Sequence, residues 1–362
     1  GLFKGPFLRL RLPFRPAVGG STAGLSWNPG FVPYGHQAAA FARLSSADVG
    51  PDKPRPLPTL ITTGTGSGKT EAFLYPIFDH VLRARRAGVT GMKALILYPM
   101  NALANDQEQR IKDYLERSGH THVKVARYDR STKQDERAAM RKSPPHILLT
   151  NYKMLDFLLL RPADRELWRY NTPDTLKYLV VDELHTFDGA QGTDLACLIR
   201  RLKARLDTPA GHLCCAGTSA TLGEREDART VLNYASSVFG EPFDDDALIT
   251  EERLSAGEFL ERDMAVRFDL PAPSSSDDMD PERFDSPEAY LRRQAELWFG
   301  SEGRCAKGEG EDDYRVRVGD LLRGHVFFQN FLKSLGGRPV EVGSLLDRLA
   351  KVAPVLGEGG GD

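Results

Sequence analysis

The nine residues Thr62–Thr70, TTGTGSGKT, decide how this 362-residue chain folds. The apolar run Leu57–Ile61 (LPTLI) ahead of them reads as a short buried strand, and Lys69–Arg86 (KTEAFLYPIFDHVLRARR) behind them reads as a helix. The glycines therefore belong to a strand-to-helix turn. Gly64, Gly66 and Gly68 can take backbone angles that L-residues avoid, so successive N–H groups can converge on phosphate oxygens where the helix presents its positive end. The loop Thr63, Gly64, Thr65, Gly66, Ser67, Gly68 would then cradle a triphosphate, with Lys69 neutralising the β- and γ-phosphates and Thr70 ligating Mg²⁺. The stretch departs from G-x-x-x-x-G-K-[ST] at one position, because Thr63 stands where the first glycine would be.

Residues 1–56 are rich in Pro and Gly and show little periodicity, except that Pro33–Gln37 (PYGHQ) opens the helical pattern AAAFARL. The Gln37 amide can donate to one position of an adenine edge and accept from its exocyclic amine, which makes it a candidate reader of ATP in an N-terminal extension. Downstream, the strands Lys93–Tyr98 (KALILY), His122–Arg127 (HVKVAR), His146–Thr150 (HILLT), Lys177–Asp182 (KYLVVD) and His212–Gly217 (HLCCAG) alternate with helical patterns at Asn101–Arg117 and Thr132–Lys142. Such alternation predicts an α/β fold over residues 57–240, a parallel sheet sandwiched by helices. KYLVVD delivers two adjacent carboxylates at its C-terminal end. A phosphate loop needs such a pair: Asp182 for the Mg²⁺ shell and Glu183 for the attacking water.

Composition describes an ordinary globular protein, 41% hydrophobic and 27% charged, long enough for two domains. No run reaches the length of a membrane span and the start has no signal-peptide layout, so a cytoplasmic protein with no membrane partner is expected. The four cysteines lack C-x-x-C spacing and read as thiols outside any metal site. The net charge of −2 hides an asymmetry. Residues 241–288 hold 16 acidic and 4 basic side chains, a net of −12, which leaves +10 on the rest and is compatible with a basic binding face there. They read as an acidic insertion or linker. Residues 289–362 read as a mainly helical accessory segment, with helices at Ala289–Phe299, Val318–Leu335 and Ser344–Val352, the last two forming a hairpin or part of a winged helix.

The strand HLCCAG ends in Thr218, Ser219, Ala220 and Thr221. With Gln37, TGTGSGKT and DELH (182–185), this order of motifs resembles the first RecA-like domain of superfamily 2 helicases of the DEAD/DEAH-box kind, over roughly residues 31–240. The resemblance implies a RecA-like P-loop fold, ATP and Mg²⁺ as cofactors, and a coupling role for Ser219, Ala220 and Thr221 between nucleotide state and domain movement. It also implies nucleic-acid contacts from PMNALANDQ (99–107) and TNYKML (150–155), namely Pro99, Asn101, Thr150 and Asn151, with Met100 standing where the family usually has threonine. The wording of these blocks is similar to very large bacterial helicases of anti-phage defence systems of the Druantia or DISARM type, and less closely to related repair helicases. On that reading DNA is the partner, RNA being open, together with other defence-system subunits. No Q-x-x-G-R-x-G-R run follows residue 222, so the second RecA-like domain of such a motor is expected outside this chain, and weak or no ATP hydrolysis is expected from the chain alone. A nucleotide-gated binding or scaffold module that never translocates is the alternative.

Overall fold

The computed structural model describes residues 5–22, 24–47, 49–50, 53–99, 101–219, 228–260, 265–267, 269–271 and 278–352, without the side chains of 101–103 and 352. In chain order the strands are β1 (Phe7–Leu8), β2 (Thr59–Thr62), β3 (Ala94–Leu97), β4 (Val125–Tyr128), β5 (Ile147–Thr150), β6 (Tyr178–Val181), β7 (Cys214–Ser219), β8 (Leu248–Thr250) and β9 (Val340–Glu341). The helices are α1 (Gly35–Leu44), α2 (Lys69–Arg86), α3 (Asn101–Arg117), α4 (Gln134–Lys142), α5 (Tyr152–Leu160), α6 (Gly189–Leu206), α7 (Ala228–Phe239), α8 (Ala256–Leu260), α9 (Pro287–Phe299), α10 (Glu311–Arg323), α11 (Val326–Leu335) and α12 (Val342–Val352). They divide into two compact units, one over residues 14–252 and one joining the first 13 residues to those from 253 onward.

The larger unit is built on a seven-stranded sheet of order β4-β5-β3-β6-β7-β2-β8, parallel at every pairing. Alternation along the strands creates two cores. Leu60, Leu95, Leu97, Leu148, Leu179 and Val181 face α5, α6 and α7, while Ile61, Ala94, Ile96, Ile147, Leu149 and Val180 face α1, α2 and α3. Strands buried on both faces read as continuous apolar runs, which is why β2, β3, β5, β6 and β7 are legible as such, whereas the edge strand β4 is only partly buried.

Two expected boundaries differ. Residues 14–56 are part of the sheet unit rather than an appendage, because Ala40, Phe41 and Leu44 of α1 are buried in the core and the Tyr178 hydroxyl donates to Leu44 O at 2.7 Å. The stretch 241–288 is not one acidic insertion. Leu248–Thr250 pairs in parallel with β2 as the sheet's edge strand, with Ile249 6% exposed.

In the smaller unit β1 and β9 form a two-residue antiparallel pair, and α9 to α12 pack in two small clusters around Tyr314 and Leu345. The helix expected over Val318–Leu335 is two helices. His325, fully buried, breaks it: its Nδ1 accepts from the Phe327 N–H at 3.1 Å as an N-cap, and its Nε2 lies 2.9 Å from Asp269 O.

Candidate functional site

In a parallel sheet the C-terminal ends of neighbouring strands share one edge. Here the edge carries, in the order β6-β7-β2, the Asp182–Glu183 doublet, Thr218–Ser219 and the loop before Lys69. The doublet and the loop are therefore two strand spacings apart, roughly 9–10 Å. Two local features close that gap. Gly68 takes a left-handed conformation (φ 76°) as the N-cap of α2, and Lys69 follows as its first residue. Glu183 is one of only two non-glycine residues at positive φ among those described (φ 52°, ψ 50°), at a cost of order 1–2 kcal/mol. Its N–H donates to Thr218 Oγ1 at 3.0 Å, which holds the turn. The Lys69 ammonium ends 3.7 Å from Glu183 Oε1 and 3.4 Å from Ser219 O.

The loop is braced from beneath. Thr63 Oγ1 and Ser67 Oγ, both fully buried, lie 2.6 Å apart, so the residue in place of the first glycine ties the base of the loop to its crest. His36 Nε2 lies 2.8 Å from Ser67 O, and Gln37 Nε2 donates to Gly68 O at 3.2 Å. Gln37 Oε1 also accepts from the Tyr34 N–H at 3.0 Å. Both ends of the Gln37 amide are thus engaged within the chain, and each retains capacity for one further bond. The Gly64 N–H donates to Glu251, just beyond β8.

These residues line one cavity of about 610 Å³, walled by Gly64, Thr65, Gly66, Ser67, Gly68, Lys69 and Thr70, by Gln37 and Glu183, and by Phe31, Val32, Tyr34, Glu71, Tyr75 and Arg110. Phe31, Tyr34 and the Arg110–Glu71 ion pair at its mouth were missed in the sequence, since none belongs to a pattern. Asp182 sits behind the wall, its carboxylate accepting from the Thr218 hydroxyl. Burial raises the pKa of this carboxyl, and the Thr218 bond only partly offsets the effect. His185 Nδ1 is 3.4 Å from Glu183 Oε2 and 3.2 Å from Ser219 Oγ. Ala220, Thr221 and Met100 lie outside the described residues, as does the Asn101 side chain.

A second cavity on the same edge, about 740 Å³, brings Pro99 and Asn151 together with Arg130, Arg137, Tyr152, Lys153, Phe157 and Arg161. Apart from Tyr152, its ionisable groups are all basic. The Asn151 Oδ1 is the N-cap of α5, accepting from the Met154 N–H at 2.8 Å. Thr150 differs from expectation: its hydroxyl is buried and donates to Tyr128 O at 2.5 Å, so it is not presented to a ligand. The cations of α6 also act internally, Arg200 and Lys203 on carbonyls of Ser237 and Phe239, and Arg201 on Asp156.

A parallel sheet whose phosphate-type loop faces an acidic doublet across the switch-point edge defines a P-loop nucleotide-binding domain of the RecA-like kind. The chain belongs to the DEAD/DEAH box helicase family, whose model matches residues 35–229. It is 29% identical over 303 residues to Druantia protein DruE of Escherichia coli (strain UMEA 4076-1), covering 54% of this chain and 16% of that protein. It is 32% identical over 171 residues to the uncharacterized ATP-dependent helicase YprA of Bacillus subtilis (strain 168), covering 47% of this chain and 20% of that one. Both relatives are therefore several times longer than the part this chain spans. In fold it is similar to the DUF1998 helicase MrfA, solved bound to DNA and AMPPNP, with a TM-score of 0.51 at 21% identity over 83% of this chain and 42% of that one.

Proposed function

We propose that this chain is the nucleotide-binding motor domain of an ATP-driven DNA helicase or translocase. The observation that carries the reading is the convergence of Lys69 and Glu183 to 3.7 Å on the wall of one cavity that also holds the whole glycine loop and Gln37. Gln37 uses its remaining donor and acceptor on the adenine edge, beside Phe31 and Tyr34. The Lys69 ammonium leaves Glu183 for the β- and γ-phosphates, where it offsets the charge that spreads over the γ-oxygens during in-line attack. Glu183, released from that pair, orients the attacking water and accepts its proton. Ser219 lies against both Lys69 and His185, a position from which Ser219–Thr221 can relay nucleotide state.

The donor set suits Mg²⁺. Thr70 opens α2 with a hydroxyl, and Asp182 offers a hard carboxylate oxygen whose charge the protein leaves under-compensated. Mg²⁺ usually keeps several waters and needs only one or two protein carboxylates besides phosphate oxygens. Held by Thr70 and Asp182, Mg²⁺ would supply neutralisation of the phosphate charge.

The basic cavity beside Pro99 and Asn151 takes a nucleic-acid backbone by phosphate contacts, which position without reading sequence. DNA as the partner rests on the MrfA complex, and a role in phage defence with other subunits rests on the likeness to Druantia protein DruE. No described helix is long and apolar enough to cross a membrane. The test is calorimetry of this chain with Mg²⁺·AMPPNP, wild type against Lys69→Ala. Binding lost in the variant is the expected result, and equal binding by both refutes the assignment.

A further inference from the structure

The opposite end of the sheet carries a site that the nucleotide chemistry does not use. Three loops that precede strands meet there: the turn after α2 (Gly88–Gly91), the approach to β4 (Lys124) and the approach to β5 (Lys142–His146). Together with Arg85 and Tyr170 they enclose a cavity of about 370 Å³.

Every ionisable group on its wall other than Tyr170 is a nitrogen donor. Lys124 Nζ donates to Ser143 Oγ at 2.6 Å, and Arg85 Nη1 donates to His122 O at 2.5 Å. Among the described residues no carboxylate pairs with Arg85, Lys124 or Lys142. Behind the wall Lys93 is fully buried, its ammonium held only by the carbonyls of Val89 (2.8 Å) and Gly91 (2.5 Å), two residues that line the cavity. Burial, and then Arg85, lower its pKa to about 8, so the ammonium remains charged at neutral pH without a counter-ion. His146 Nδ1 accepts the Lys124 N–H at 2.9 Å, and its Nε2 lies 3.4 Å from Arg85 Nη1, so both ring nitrogens face donors of the fold. Burial and the cations Lys93, Arg85 and Lys124 hold this imidazole down to about 4, so it stays neutral. All the charged groups that act on His146 are basic.

Uncompensated positive charge gathered around a concave wall that carries no carboxylate is stabilised by an anion. The volume exceeds what one oxyanion fills and falls in the range of small-molecule sites, and the half-exposed Tyr170 ring offers a face for an organic group. We propose that Arg85, Lys124 and Lys142, beside the neutral His146, form a second anion site for a small phosphorylated ligand. The site is separate from the triphosphate cavity, because it lies at the starts of the strands and the glycine loop lies at their ends.

The test is calorimetry with inorganic pyrophosphate, in a Lys69→Ala background that removes the glycine loop as a competing site. Pyrophosphate should bind there, lose at least tenfold in affinity with Lys142→Glu, and recover with Lys142→Arg. Among the described residues the Lys142 side chain has no hydrogen-bond partner, so binding of Mg²⁺·AMPPNP by Lys142→Glu with an intact Lys69 should match the parent chain and report a sound fold. Absence of pyrophosphate binding in the Lys69→Ala chain overturns the proposal. So does an affinity unmoved by Lys142→Glu, or a loss confined to binding of a DNA duplex, which would make the patch a backbone contact.

Discussion

The Lys69 ammonium stands 3.7 Å from the Glu183 carboxylate although the two residues leave the sheet from strands separated by β7. With both side chains partly exposed, at 17% and 29%, the pair contributes little stability, on the order of 1 kcal/mol or less. Glu183→Gln should therefore leave the melting temperature and AMPPNP affinity of this chain nearly unchanged. In the longer protein that carries this domain, the same change should lower DNA-stimulated ATP turnover by about 10²–10⁴-fold. Steady-state hydrolysis beside equilibrium binding separates the two, and an active Glu183→Gln enzyme would favour a binding module over a motor.

Asp182 should show the opposite balance between stability and function. Its carboxyl pKa is raised in the fold, so the protonated form is favoured there relative to the unfolded chain. That stabilisation is complete below the unfolded value near 3.8 and disappears as pH climbs through the folded one. At neutral pH the buried charge is thus a cost. Asp182→Asn, which can still accept from Thr218, should raise stability by about 1 kcal/mol, or about 2–4 °C in melting temperature, while abolishing Mg²⁺-dependent nucleotide binding. The gain should shrink on acidification towards pH 4, as scanning calorimetry across pH would reveal.

Arg130 and Lys153 line the basic cavity and should act through phosphate contacts. Replacing either with Ala should weaken single-stranded DNA binding irrespective of sequence, and should reduce the slope of log K against log salt by about 0.7. Fluorescence anisotropy at several salt concentrations measures this. An unchanged slope would place the strand elsewhere.

Thr150→Val is the contrasting case. Its hydroxyl bonds Tyr128 O inside the sheet, so the substitution should destabilise the domain by about 1–2 kcal/mol in urea titrations. DNA affinity should not change.

What the sequence made visible follows from how locally each feature is encoded. KALILY, HILLT and KYLVVD are buried on both faces and announce themselves as unbroken apolar runs. The glycine loop and the acidic doublet each fit within a few residues, so their spacing survives in the primary structure. By contrast β8 has three residues, with Ile249 buried in the core and Leu248 only partly so, in a strongly acidic neighbourhood. The break between α10 and α11 depends on the His325 imidazole reaching Asp269, a distant segment. Thr150 looked like a ligand-facing hydroxyl because sequence gives its type and not the carbonyl of Tyr128 that captures it. Arg110 and Phe31 reach the first cavity, and Arg85, Lys124 and Lys142 the last, from separate loops and helices, and no window of sequence contains such a meeting.

The contact between Glu251 and the Gly64 amide has a mechanical meaning. The backbone emerges from β8 at the very place where the glycine loop begins, and one carboxylate bolts the two together. Strand β8 is therefore fastened to the start of the glycine loop by a side chain as well as by its ladder with β2.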